Sequence, residues 1–245
     1  MITHYWPRVD SETRIAGHVH AHGHSGRTLE ASHAETLPFI TVNRDFGCEA
    51  LAVSKKLADY LNQRYQPTIP WAAYDRELLD RVAGELHLRR EIVETVDGAH
   101  RSAMKGLFDT LLNNSVDEVV IFRRLAEVVR SLAIHGHSII VGRGSHLLTK
   151  GLRTGLHVRL VAPRDWRIKQ IATSRRVSLS AAKRIVAEGE KDRLHFLQTH
   201  FVNDPERPFS YDVVIDVARF SPVEAVQIIS AAVLTPRFGD PSTHR

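Results

Sequence analysis

The sequence predicts an α/β protein built on a parallel sheet of five strands. Three observations carry this reading. The apolar run Phe39–Val42 is short and rich in β-branched residues, and a polar turn and a stretch with helical spacing follow it directly. Four more short apolar runs, at Trp71–Tyr74, Ser138–Val141, Leu156–Val161 and Tyr211–Asp216, alternate with longer stretches of helical period. The third run ends in Gly142-Arg143-Gly144, a turn expected at the carboxyl edge of the sheet, where open parallel sheets bind their ligands.

Composition narrows the field. At 245 residues the chain is long enough to bury a full core, as one domain or one domain with a small insert. The formal net charge is +5, which favours anionic ligands such as nucleotides. No block of like charges occurs, and neither an aromatic platform nor a reading helix is recognisable, so nucleic acid is not an expected partner. The single cysteine, Cys48, rules out an intrachain disulfide and suits a reducing compartment. No apolar stretch is long enough for a bilayer, and the N-terminus lacks the apolar core of a signal peptide. The expectation is a cytoplasmic protein with no membrane partner; the sequence leaves its oligomeric state open.

In chain order, residues 1–36 have no sustained periodicity and are expected to form a disordered, histidine-rich tail. The run from His18 to His24 alternates imidazoles with small or apolar residues. Imidazoles bind transition metals, but no cysteine or carboxylate stands at ligand spacing, so no metal site is assigned. The folded domain is expected over 37–235. After Phe39–Val42 comes the turn Asn43-Arg44-Asp45-Phe46-Gly47-Cys48, then Ala50, Val53, Leu57, Ala58 and Leu61 on one helix face. A turn opening onto a helix N-terminus offers free N–H groups and the positive end of the helix dipole, a natural place for a phosphate. The phosphate-binding loop of nucleotide-binding proteins has this layout but wants G-x-x-x-x-G-K-[ST]. Here Arg44 and Glu49 take the glycine positions, Ala50 that of the lysine and Leu51 that of the hydroxyl.

Residues 66–70 read as a loop, and Asp75 closes the second strand. Helical spacing from Leu78 to Leu88, short charged helices over 89–113 and a longer helix from Val116 to His135 suggest a helical insert. Pro163 ends the fourth strand and leads into a basic helix around 164–176. Ser178 opens another helix that carries Lys183, Arg184, Lys191 and Arg193; part of this charge reads as a solvated face. Residues 203–210 read as a loop. Ser221, Pro222 and Glu224 mark the start of the last helix, with a cap, a proline at the first position and a carboxylate three residues on. Residues 236–245 are expected to be a loose tail.

Five stretches, taken in order, resemble the cytidylate kinase-like family of P-loop nucleotide kinases: ITVNRDFGCEALAVSKKLADYL, YDRELLDRVA, IIVGRGSHLL, LHVRLVAPRDWRIKQI and EKDRLHFLQTHFVNDPERPFSYDVVIDVARFSPVEAV. The resemblance spans roughly residues 38–234. It implies a three-layer α/β/α fold, a helical insert for the nucleoside monophosphate, and an arginine-bearing lid. By resemblance, Arg44, Asp45, Phe46, Gly47, Cys48, Glu49 and Ala50 bind the phosphates of ATP. Asp75 opens the monophosphate-binding segment, Arg143 lies near the acceptor and in catalysis, and Arg193 reaches from the lid to the phosphates. The implied reaction is transfer of the ATP γ-phosphate to a CMP-type acceptor, with Mg2+. The chain departs from the usual pattern at Ala50, Leu51 and Gly144, where lysine, a hydroxyl and an aspartate would stand, and Asp45 or Asp75 is left to help hold the metal. The alternative is a catalytically impaired nucleotide-binding or regulatory protein on the same fold.

Overall fold

Strand β1, Phe39–Arg44, lies at the centre of the sheet, and its side chains alternate between two buried faces. In the computed structural model the described residues are 37–77, 79–80, 117–201 and 210–235. The expected tails at 1–36 and 236–245, most of the helical insert and most of the 203–210 loop lie outside them. In chain order β1 is followed by α1 (Ala50–Tyr65), β2 (Ala72–Tyr74), α2 (Asp117–His135) and β3 (Ser138–Val141). Then come α3 (Ser145–Leu148), β4 (Gly155–Val161), α4 (Arg164–Arg175), α5 (Leu179–His200), β5 (Val213–Asp216) and α6 (Pro222–Val233).

The five strands form one sheet in the order β2-β3-β1-β4-β5, and every pairing is parallel. Ile40 and Val42 face one layer with Ile139 and Val141, under Val53, Leu57 and Leu61 of α1 and Val226 and Ile229 of α6. Phe39 and Ile140 face the other, under Leu125, Val129 and Leu132 of α2. The chain is thus a three-layer α/β/α sandwich. Parallel strands covered on both faces explain the near-continuous apolar runs in the sequence.

The helix boundaries follow local chemistry. Ser178 accepts a hydrogen bond from the Ala181 N–H at the start of α5. Ser221 and Glu224 form a reciprocal capping box at the start of α6, with Pro222 at the first position. Helices α4 and α5 pack on each other around Ile171, Ala182 and Val186. Among the described residues no helix is long and apolar enough to cross a membrane.

This strand order decides where a site can form. From β1 the chain passes through α1 to β2 on one side of the sheet, and from β3 it returns to β4 on the other. The carboxyl ends of β1 and β3 are therefore neighbours whose loops diverge, which opens a crevice between them.

Candidate functional site

The β1 turn is built by backbone hydrogen bonds. The Asp45 N–H donates to the Leu160 carbonyl at 3.0 Å, and the Cys48 N–H to the Asp45 carbonyl at 3.2 Å. Glu49 then takes a left-handed conformation, φ 44°, as the residue before α1, and its side chain makes no capping bond. Glu49 is exposed, whereas Ala50 is buried against the sheet. The Ala52 and Val53 N–H groups donate to the Glu49 carbonyl, at 3.0 and 3.3 Å, which leaves those of Ala50 and Leu51 at the helix start available to an anion.

Across the crevice, Gly142, Arg143 and Gly144 are all left-handed, with φ of 80°, 54° and 63°. The glycines answer two neighbours. A Cβ on Gly142 would collide with the Arg44 guanidinium, and one on Gly144 with the Phe201 ring. Arg143 has no such freedom, and its left-handed backbone is strained. Its guanidinium is held by a two-pronged ion pair to Asp80, with Nε 2.9 Å from Oδ1 and a second bond from Nη2 to Oδ2. The guanidinium also lies 4.6 Å from the centre of the Phe196 ring. Asp80 is shared, because Arg76 Nε stands 3.7 Å from the same Oδ2.

Arg44 is the centre of the arrangement. No hydrogen bond or ion pair joins its guanidinium to a described residue. Burial pushes its pKa down, and the charges of Arg193, Arg76 and Arg143, in that order, push it further; Cys48 opposes them weakly. Four arginines from four separate segments thus converge on the carboxyl ends of β1 and β3. Among the described residues no anion pairs with the Arg44 guanidinium, and its planar fork matches a carboxylate or a phosphate.

The remaining residues of the turn serve its shape. Asp45 forms an ion pair with Arg159 of β4 at 3.0 Å. The Phe46 carbonyl accepts from Arg167 Nη1 at 3.1 Å, and its ring packs with the α4–α5 cluster. Gly47, φ 98°, lies against the Arg167 backbone. Cys48 is buried, and burial first, then the Asp45 carboxylate, pushes its thiol up to about 12, so it is no nucleophile at neutral pH. Asp75 follows β2, and its carbonyl accepts the Leu79 N–H at 3.0 Å. The structure therefore brings Arg44, Arg143 and Arg193 together and gives Asp45, Phe46 and Cys48 other partners.

Three contributors escaped sequence reasoning. Arg76 and Asp80 are spaced four apart in YDRELLDRVA, a pattern that also fits an ordinary exposed helix pair. Arg167, only 6% exposed, hides in a basic stretch that reads as solvated. It also donates through Nε to the Ala162 carbonyl at 3.0 Å and through Nη1 to Glu190 at 2.5 Å.

Residues 39–219 match the model of the cytidylate kinase-like family. The chain belongs to that family. No curated protein matches. A solved structure of an uncharacterized protein from Eubacterium ventriosum is 18% identical with a TM-score of 0.58, and the match covers 80% of this chain and 98% of that one. A shikimate kinase from Bacteroides thetaiotaomicron is 12% identical, TM-score 0.45, over 81% of this chain and 99% of that one. A shikimate kinase from Acinetobacter baumannii, solved with shikimate, is 15% identical, TM-score 0.46, over 82% and 94%. The first of these shares the fold of this cytidylate kinase-like chain. Among the described residues no group of three or more His, Cys, Asp or Glu side chains gathers that would hold a metal.

Proposed function

We propose that the protein is a nucleotide kinase that transfers the γ-phosphate of ATP to a nucleoside monophosphate of the CMP type. The observation that carries this reading is Arg44: a half-buried cation with no anionic partner among the described residues, beside a helix N-terminus and among three further arginines. Phosphoryl transfer needs positioning and positive charge more than it needs a protein nucleophile. In this reading Arg44 and the first amides of α1 hold the polyphosphate in place of the missing lysine. Arg193 comes over the transferred group from α5. Arg143, kept in place by Asp80, meets the acceptor, and Asp75 begins the acceptor side. An acceptor phosphate oxygen bonds to the γ-phosphorus as the bond to the bridging oxygen breaks, and ADP leaves.

The described residues suit a polyphosphate better than they suit a bare metal. Asp45 and Asp80 are both engaged by arginines, so magnesium would be held chiefly by phosphate oxygens and water. When bound it would neutralise charge on the phosphates.

One observation favours a second reading, a nucleotide-binding protein without turnover. Ala50, in the lysine position, is buried and carries no charge. An assay of ADP formation with ATP, Mg2+ and CMP separates the two. Turnover that falls by about 10³-fold in Arg193→Ala, as when a transition-state arginine is lost, supports the kinase. ATP binding without ADP formation supports the second reading, and no ATP binding removes both.

A further inference from the structure

Glycine is the poorest helix former after proline, yet Gly189 lies in the middle of the 22-residue helix α5. The space around it gives a reason. A Cβ on Gly189 would overlap one edge of the Phe46 ring, at Cδ2, Cε2 and Cγ. The ring belongs to the β1 turn and packs on the Ile171, Ala182 and Val186 cluster, with Arg175 5.7 Å from its centre. One turn of helix later on the same face stands Arg193, four residues on. The next residue, Glu190, holds Arg167 Nη1 at 2.5 Å, and the same nitrogen donates to the Phe46 carbonyl at 3.1 Å. The turn therefore grips α5 twice, by a ring seated where a side chain is missing and by a buried arginine strut.

We propose that seating of Phe46 on Gly189 sets the height of Arg193 over the phosphate turn, so that Phe46 and Gly189 are positioning residues for phosphate binding. The inference rests on the nucleotide-kinase reading. Its physical content is steric: a methyl group at 189 displaces either the ring, and with it residues 45–47, or the helix, and with it Arg193. In either case the arginines at the β1 turn lose their mutual register.

The test sets helix propensity against this fit. Gly189→Ala gains helix propensity but forces a methyl group against the Phe46 ring, so its melting temperature is expected to change little or to fall. ATP affinity, measured by calorimetry, is expected to fall about tenfold, a coupling typical of residues in direct contact. The smaller ring substitute in Gly189→Ala/Phe46→Leu is expected to return most of that affinity. Undiminished ATP affinity in Gly189→Ala overturns the inference, and so does a loss that the double variant leaves unrelieved. If the unmodified protein binds no ATP, the kinase reading fails by itself, and the coupling is judged from hydrogen exchange. Faster exchange of the 45–51 amides in Gly189→Ala then supports the coupling, and unchanged exchange overturns it.

Discussion

Arg44 concentrates the electrostatic tension of the molecule in one side chain. Its removal takes a cation out of a cluster that already holds Arg193, Arg76 and Arg143. Arg44→Ala is therefore expected to leave the melting temperature unchanged or higher, while ATP affinity falls by about tenfold or more, the loss of a charge-assisted contact. A parallel fall in melting temperature would show that the residue is structural. His157 gives a second prediction at this scale. Its Nδ1 is 2.8 Å from Thr41 Oγ1, and burial pushes its pKa below the usual 6.5, with Asp212 opposing. The folded state then binds fewer protons than the unfolded state, so stability is full above about pH 6.5 and is lost as pH falls toward the lower folded value. Denaturant titrations from pH 7.5 to 5 are expected to show an acid loss that His157→Gln lessens. Neither residue's environment was legible in the sequence, because each depends on contacts more than a hundred positions away or on several segments at once.

Elements were far more legible than contacts. The apolar runs at Phe39–Val42, Ser138–Val141 and Leu156–Val161 are strands, because buried parallel strands must be apolar on both faces. Ser178 and Ser221 announced their helices correctly, since a capping hydroxyl acts within four residues of itself. What sequence could not supply was the partner of each turn. Gly142-Arg143-Gly144 reads as a turn, but only the fold shows that its first glycine makes room for Arg44. Gly142→Ala combines a strained φ of 80° with a steric overlap. It is expected to cost on the order of 1–3 kcal/mol in urea denaturation and to weaken ATP binding as well. Unchanged values in both measurements would mean that the β1–β3 crevice accommodates a methyl group. The Arg167 strut was invisible for a related reason. A buried arginine and a solvated one look alike until their carbonyl partners are known.

At the scale of the whole molecule, ligand and fold are linked. The arginines of the site come from the β1 end, the segment after β2, the β3 end and α5, so a polyphosphate bound there would tie together parts far apart in the chain. A ligand that binds only the folded state adds about 2.7 kcal/mol at a hundred times its dissociation constant. ATP and inorganic tripolyphosphate are both expected to raise the melting temperature, with the effect shrinking as salt is added. A shift with ATP that tripolyphosphate does not reproduce would move the main contacts from phosphate to base or sugar. The central place of β1 has one more consequence. Its neighbours are β3 and β4, about a hundred residues later in the chain, and the turn's Asp45 N–H reaches a carbonyl of β4. During synthesis on the ribosome the first strand therefore emerges long before either flank exists. Strands that pair over such distances close late and slowly. The N-terminal end of the first helix is thus fixed in place only after these later strands arrive, although it is made well before them.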